Sequence, residues 1–192
     1  ARGLCYLISI DSISITDPTY TALSEYRLPL GTETAISLSG IIAIVTLLVG
    51  IYVAHYTRFG RTVYAIGGNE RSALLMGLPV ARTKILVYVL SGFCSALGGI
   101  LVTLYMLSGY GLHAIGFEMD AIAAAVIGGT LLTGGVGFVA GTLVGVMVLG
   151  VIQSLIAFDG SLSSWWTRIA IGFLLFLFCL LQRLLERSKL GK

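Results

Sequence analysis

The side chains that carry out chemistry in proteins are few in this chain and lie far apart. The two histidines, His55 and His113, form no HExxH motif and predict no metal site. Glu118 and Asp120 stand next to an apolar run, where acidic residues more often cap the following helix. The sequence contains neither a GxSxG nucleophile motif nor a GxxxxGK[ST] phosphate-binding loop. It therefore predicts no catalytic residue, no metal ligand and no cofactor bound by this chain.

A charged segment, residues 57–84, separates two long apolar runs and contains the signals of a short helix. Asn69 can cap the amino end, Glu70 suits the positive pole of the dipole, and Gly77 can close the carboxyl end in a left-handed conformation. Pro79 then prevents the helix from continuing. At about 1.5 Å per residue the helix is roughly 10 Å long, a third of a bilayer core. The short length and the caps predict a rigid helix on which a partner protein can dock.

The composition of the chain is typical of an integral membrane protein. Of its 192 residues, 57% are hydrophobic and 11% are charged, whereas soluble domains carry about a quarter charged residues. Four apolar runs have about the 20 residues that a membrane-spanning helix needs, and they cover residues 36–56, 85–107, 136–157 and 165–184. A fifth run, residues 121–133, is shorter and rich in alanine and glycine. The sequence therefore predicts an all-α, polytopic transmembrane helix bundle.

The distribution of charge predicts the orientation of these helices. Residues 9–34 contain four acidic side chains and one arginine, which indicates an external segment. Residues 57–84 and the tail, residues 185–192, are basic, so the positive-inside rule places both in the cytoplasm. Both placements hold only if the short run 121–133 also crosses, giving about five crossing helices plus the short cytoplasmic helix. The net charge of +3 is small, and once the membrane spans are set aside no basic face is left that would bind nucleic acid.

Glycines are concentrated around the short run. Gly137, Gly141 and Gly145 recur every four residues, which predicts one face of a helix. Small residues at this spacing allow helices to pack closely in lipid, and the alternative is a smooth wall for a passing solute. Two glycine pairs, Gly128–Gly129 and Gly134–Gly135, predict a hinge or a broken helix beside a cavity. The residues predicted to line a pathway are Gly128, Gly129, Thr130, Gly134, Gly137 and Gly141.

Several segments resemble the permeases of sugar-type ABC importers, the branch that includes ribose, galactose and xylose permeases. The segments are Thr57–Ala73, Val80–Gly92, Asp120–Thr130, Gly134–Gly137 and Gly141–Thr142. Two external stretches, residues 16–20 and 159–166, look closest to the permease subunit of the galactofuranose importer. Arg71 and Ser72 depart from the family, whose members often carry Glu and Ala there. Family permeases are much longer, so we expect residues 1–192 to be the carboxy-terminal part of one permease domain.

The resemblance implies a bacterial inner-membrane complex, surrounded by lipid, of two identical or paralogous permease subunits, an ATPase that uses ATP, and a periplasmic sugar-binding protein. The loop from Gly67 to Gly77 would enter a cleft on the ATPase and be pushed when the ATPase closes. The residues assigned to this coupling are Gly67, Gly68, Asn69, Glu70, Arg71, Ala73, Leu74, Met76 and Gly77. The predicted function is a transport subunit of an ATP-driven monosaccharide importer, without a nucleotide-hydrolysing site of its own.

Other classes of function remain open at this stage. A secondary carrier or a passive solute channel is the main alternative, supported by the short glycine-flanked run. However, the deep positions of the predicted spans lack the carboxylates that ion-coupled carriers usually place there. An intramembrane enzyme would need a cluster of reactive side chains within the spans. A purely structural membrane scaffold is a further alternative, and co-purification of an ATPase through residues 57–84 would argue against it.

Overall fold

The computed structural model describes residue 7 and residues 11–29, 35–111, 114–159 and 164–190. His113, residues 160–163 and the last two residues of the tail lie outside the described residues. The chain divides into two compact units. The first comprises Ala1–Leu48 and Lys84–Ile115, and the second comprises Val49–Thr83 and Gly116–Lys192.

Helices make up most of the described chain. In chain order they are α1 (Pro18–Glu25), α2 (Leu38–Tyr56), α3 (Arg58–Gly68), α4 (Glu70–Leu75), α5 (Val80–Met106), α6 (Phe117–Ile127), α7 (Val139–Asp159) and α8 (Ser164–Leu190). Among the described residues, four helices, α2, α5, α7 and α8, are long and apolar enough to cross a membrane. They correspond to the four predicted runs, so the predicted all-α polytopic bundle is confirmed.

The short run forms an eleven-residue helix, α6, which runs parallel to α8. At the start of α6, a Cβ on Gly116 would lie 3.8 Å from Cζ of Arg168. At its end, the side-chain amide of Gln182 donates to the carbonyl of Val126 in the last turn and to that of Thr130 in the following loop, at 3.3 and 3.4 Å. Arg168 and Gln182 are about 21 Å apart along α8 at 1.5 Å per residue. With its following loop, α6 therefore extends over most of a core about 30 Å thick, which supports the predicted crossing.

The buried core of the second unit forms where α6, α7 and α8 meet. Each side chain at its centre is at most 4% exposed. Alanines on α6 bring the backbones of the helices close together, and larger side chains from α7 and α8 fill the remaining space. The core residues are Ala123, Ala124, Leu149 and Ile171, with Ile127 and Leu175 packed against them.

Two short antiparallel strand pairs accompany α1 in the first unit. The pairs are β1 (Ile13–Ser14) with β4 (Ser108–Gly109), and β2 (Arg27–Pro29) with β3 (Ala35–Ser37). The first pair joins the segment before α1 to the chain after α5. Asp17 caps α1 by accepting the backbone amide of Thr19 at 2.8 Å. Hydrogen bonds from the hydroxyl and the amide of Thr19 hold the pKa of Asp17 below its ordinary value of 3.8.

A candidate docking helix and the glycine contact behind it

Helix α4 is short and has caps at both ends. Oδ1 of Asn69 accepts the backbone amide of Ser72 at 3.0 Å. At the other end, Gly77 has a φ of 77°, and the amides of Gly77 and Leu78 donate to carbonyls of α4 at 3.0 and 3.1 Å. This pair of bonds is the Schellman arrangement, in which a left-handed glycine closes a helix. The predicted caps at Asn69 and Gly77 are therefore confirmed.

Helix α5 begins directly after the turn, five residues before the apolar run that starts at Ile85. The carbonyl of Pro79 accepts the amide of Thr83 at 3.0 Å, and the side chains of Val80 and Thr83 are buried. Proline suits the start of a helix, where its missing amide would have no partner in any case. The expectation that Pro79 only prevents continuation needs correction, because a new helix starts at the next residue.

The last turn of α4 presents large apolar side chains outside the spanning helices. The side chain of Ala73 is fully buried, whereas Leu74, Leu75 and Met76 are 64%, 88% and 68% exposed. We refer to these three residues as the α4 apolar edge. Adjacent exposed apolar side chains of this size are typical of a surface that a partner covers. The predicted coupling set omitted Leu75, although its place between two apolar residues could have revealed it.

The other coupling residues predicted from the sequence lie at or near this helix. Gly67 is half-buried at the end of α3, and Ala73 is buried within α4. The remaining members are exposed, and they are Gly68, Asn69, Glu70, Arg71, Leu74, Met76 and Gly77. The structure thus places the predicted set on one continuous stretch that runs from the end of α3 to the closing turn of α4.

Helix α3 was not predicted, and it turns sharply away from the end of α2. The hydroxyl of Thr57 accepts the amide of Gly60 at 3.2 Å and donates to the carbonyl of Val53 at 2.6 Å. Gly60 is buried, and a Cβ there would overlap the carbonyl oxygen of Ala54. The corner between the two helices therefore requires glycine. A threonine three residues before a glycine was the only local signal of this helix start.

The carboxyl end of α3 lies against the loop between α6 and α7. A Cβ on Gly67 would be 2.6 Å from N of Gly135, and one on Gly134 would be 2.7 Å from O of Gly67. A Cβ on Gly135 would be 2.8 Å from Cα of Gly68. Gly134 and Gly135 also have φ values of 93° and 79°, which favour glycine. We call these four residues the glycine junction.

Aromatic side chains surround the glycine junction. The hydroxyl of Tyr64 donates to the carbonyl of Gly137 at 2.8 Å. The ring of His55 stacks on Phe138 with centroids 6.2 Å apart and meets the edge of Tyr64 at 6.3 Å. These contacts connect the end of α2 and the middle of α3 to the same loop. These contacts could not be predicted from the sequence, because the partners are far apart along the chain.

The glycines between α6 and α7 serve helix packing. A Cβ on Gly141 would overlap the carbonyl oxygen of Gly128, and one on Gly145 would overlap that of Ala124. Gly137 precedes α7, so only Gly141 and Gly145 of the predicted helix face lie on the helix. The structure thus shows close packing of the two backbones, the first of the two roles expected for this spacing.

The residues predicted to line a pathway lie at three different places. Gly137 faces Thr130, since a Cβ on Gly137 would lie 3.1 Å from Cγ2 of that side chain. Together with Gly128 and Gly141, they gather where α6 ends and α7 begins, whereas Gly134 belongs to the glycine junction. Gly129 is exposed at the end of α6, with a φ of 90°. Pathway lining by these residues stays a prediction.

The fold defines a polytopic integral membrane protein. The chain belongs to the family of the permease component of the branched-chain amino acid transport system, which matches residues 6–179. With the four apolar helices, this makes it a multi-pass protein of the bacterial inner membrane. The predicted kinship with sugar-type ABC permeases is confirmed at the level of the family.

Individual relatives are sugar permeases or their close kin. The chain is 52% identical over 184 residues to the inner membrane ABC transporter permease protein YjfF of Escherichia coli (strain K12), covering 95% of this chain and 55% of YjfF. It is 38% identical over 189 residues to the fructose import permease protein FruG of Bifidobacterium longum, with coverage of 95% and 55%. It is 42% identical over 129 residues to the ribose import permease protein RbsC of Bacillus subtilis, with coverage of 67% and 40%. The chain thus spans about half the length of the curated relatives it matches, and no solved structure matches it.

Proposed function

We propose that the full-length protein is the permease subunit of an ATP-driven sugar importer and that this chain forms part of its transmembrane pathway. Family membership and the fructose and ribose permeases among its relatives support this function. A separate cytoplasmic ATPase uses the ATP, in keeping with a sequence that contains no phosphate-binding loop. The further partners are a second permease subunit, identical or paralogous, and a periplasmic sugar-binding protein.

The α4 apolar edge is the docking surface for the ATPase in this proposal, and it is the observation that carries it. Leu74, Leu75 and Met76 lie within the basic segment 57–84, which the positive-inside rule places in the cytoplasm. Burying one such side chain fully in a cleft is worth about 1.5–3 kcal/mol. Three of them on one capped helix give the ATPase an anchor and a rigid element to push.

The pushed helix then changes the arrangement of the spans. Closure of the ATPase subunits displaces α4, and the pathway between the permease subunits alternates between outward-facing and inward-facing states. We place the inner part of the pathway at the loop between α6 and α7, where the backbone is not helical. Irregular backbone is tolerated at membrane depth only inside protein or beside a water-filled cavity.

The solute is a monosaccharide, with galactofuranose as the specific candidate. Its support is the likeness of residues 16–20 and 159–166 to the galactofuranose permease. Uptake of radiolabelled D-galactose, which forms some furanose ring in water, is measured in proteoliposomes of the full complex beside D-ribose, L-arabinose and D-fructose. We expect ATP-dependent uptake with preference for D-galactose. Uptake that follows an ion gradient without ATP would instead indicate a secondary carrier.

The docking surface is tested by the substitution Leu75→Asp in the full-length permease. An aspartate in an apolar cleft carries a desolvation cost that the leucine does not, so we expect at least a tenfold loss of co-purifying ATPase. Leu23→Asp is the matched control, because Leu23 lies on α1 in the predicted external segment and is 48% exposed. Equal retention of ATPase by both variants would overturn the docking role.

A further inference from the structure

We infer that the glycine junction transmits the movement of α4 to the loop between α6 and α7, residues 128–138. The membrane-crossing helix on which the ATPase acts is then α6. This inference rests on the proposed function. It differs from the route that the covalent chain suggests, in which α4 pulls directly on α5. Three sets of contacts carry it.

The first set fixes the distance between α3 and the loop in both directions. At the glycine junction, backbone meets backbone without side chains between them, and a Cβ on Gly67, Gly134 or Gly135 would stand within 2.6–2.8 Å of backbone atoms. The two segments therefore cannot move closer. The hydrogen bond from Tyr64 to the carbonyl of Gly137, at 2.8 Å, resists their separation, as does the stack of His55 on Phe138. A contact that resists both approach and separation transmits motion.

The second set makes the loop a single unit. The amide of Leu131 donates to the carbonyl of Val136 at 3.0 Å, and the amide of Gly134 donates to the carbonyl of Leu131 at 3.1 Å. The amide of Thr130 donates back to the carbonyl of Ala125 in α6 at 3.0 Å. Because the loop is closed on itself and bonded to α6, a displacement at Gly134 reaches the end of that helix.

The third set extends the connection to α7 and α8. Gly128, at the end of α6, packs against Gly141 of α7 with no room for a side chain on either. The side-chain amide of Gln182 in α8 donates to the carbonyls of Val126 and Thr130. Both bonds join one side chain of α8 to the end of α6, so Gln182 is a positioning residue that keeps the two helices attached there. Motion of the loop therefore reaches three helices at once.

Accessibility of the loop provides a test that needs no sugar. Leu132 is 63% exposed and lies in the loop. The substitution Leu132→Cys is made in full-length permease whose native cysteines have been replaced, and the variant is reconstituted with the ATPase. The rate at which a maleimide labels position 132 is then measured with and without ATP and vanadate. We expect trapping of nucleotide by vanadate to change the labelling rate at least threefold. The substitution Gly67→Ala should abolish this change, whereas Gly172→Ala, at an exposed helical glycine of α8, should preserve it.

A second variant covers the case in which Gly67→Ala does not fold. Tyr64→Phe keeps the ring and removes only the hydroxyl that donates to Gly137, and we expect it to reduce the change in labelling rate at least twofold. If nucleotide is trapped but labelling of position 132 never changes, or if Gly67→Ala and Tyr64→Phe both behave like Gly172→Ala, the inference is wrong. Failure of the ATPase to bind the unsubstituted permease would instead contradict the proposed function.

Discussion

Helices α7 and α5 are both long apolar spans that contain glycine, but two of the three glycines on α7 have surroundings that differ from those of the glycines on α5. On α7, Gly141 and Gly145 leave no space for a Cβ beside the backbone of α6. On α5, Gly92, Gly98 and Gly99 would place a Cβ in open space, with no atom of the described residues within 4 Å. The difference shows that composition alone does not reveal which glycines hold a membrane protein together. Three of the predictions below use the same Gly→Ala change to test it.

The largest effect is expected for Gly141→Ala. The added methyl would overlap the carbonyl oxygen of Gly128, so α6 and α7 must separate. We expect the free energy of unfolding to fall by about 3 kcal/mol, the upper end of the usual cost of overpacking. Thermal unfolding of the full-length permease in detergent measures this loss. A melting temperature equal to that of the unsubstituted protein would contradict the backbone contact between the helices.

A smaller effect is expected for Gly60→Ala at the corner between α2 and α3. The methyl would overlap the carbonyl oxygen of Ala54, but the end of α2 can yield more readily than a packed pair of spans. We expect a loss of about 2 kcal/mol in the same unfolding experiment. A loss larger than that of Gly141→Ala would reverse the order and show that the corner is the more rigid contact.

The cap of α4 is expected to have a local effect. Asn69→Ala removes the side chain that accepts the amide of Ser72, and such a cap is worth about 1 kcal/mol. We expect faster hydrogen exchange at the amides of α4, with global unfolding nearly unchanged. Asn69→Ser, which retains a capping oxygen, is the control. Equal exchange in both variants would mean that the partner, and not the cap, keeps this helix formed.

The smallest effect is expected for Gly92→Ala on α5. Alanine is favoured over glycine inside a helix by about 1 kcal/mol, and nothing in the described residues obstructs the methyl. We therefore expect the isolated permease to be no less stable than the unsubstituted protein. A loss above about 1 kcal/mol would reveal a close neighbour of α5 and remove the contrast with α7.

Local signals in the sequence predicted local structure well. The four long spans followed from their length and apolar content, and the caps of α4 followed from the residue types of Asn69 and Gly77. Each of these features depends on residues that are close together along the chain. The glycine pairs beside the short run predicted irregular backbone, and in the structure Gly129, Gly134 and Gly135 all have positive φ.

Contacts between distant residues could not be predicted in the same way. The glycine junction joins positions 67 and 135, and the bond from Tyr64 to Gly137 spans a similar separation. No periodicity within either segment indicates which partner it meets. Gln182 gave a partial signal, because a lone amide in an apolar run needs a partner. Its partners, the carbonyls at the end of α6, became identifiable only in the folded chain.

Photo-crosslinking from position 75 tests the docking role of α4 most directly. Leu75, the most exposed residue of the α4 apolar edge, is replaced by benzoylphenylalanine in the full-length permease, within membranes that contain its partner subunits. We predict a light-dependent covalent product with the ATPase, and none when the same group is placed at Leu23. The account would be contradicted by crosslinks from position 75 that reach only lipid or an external protein.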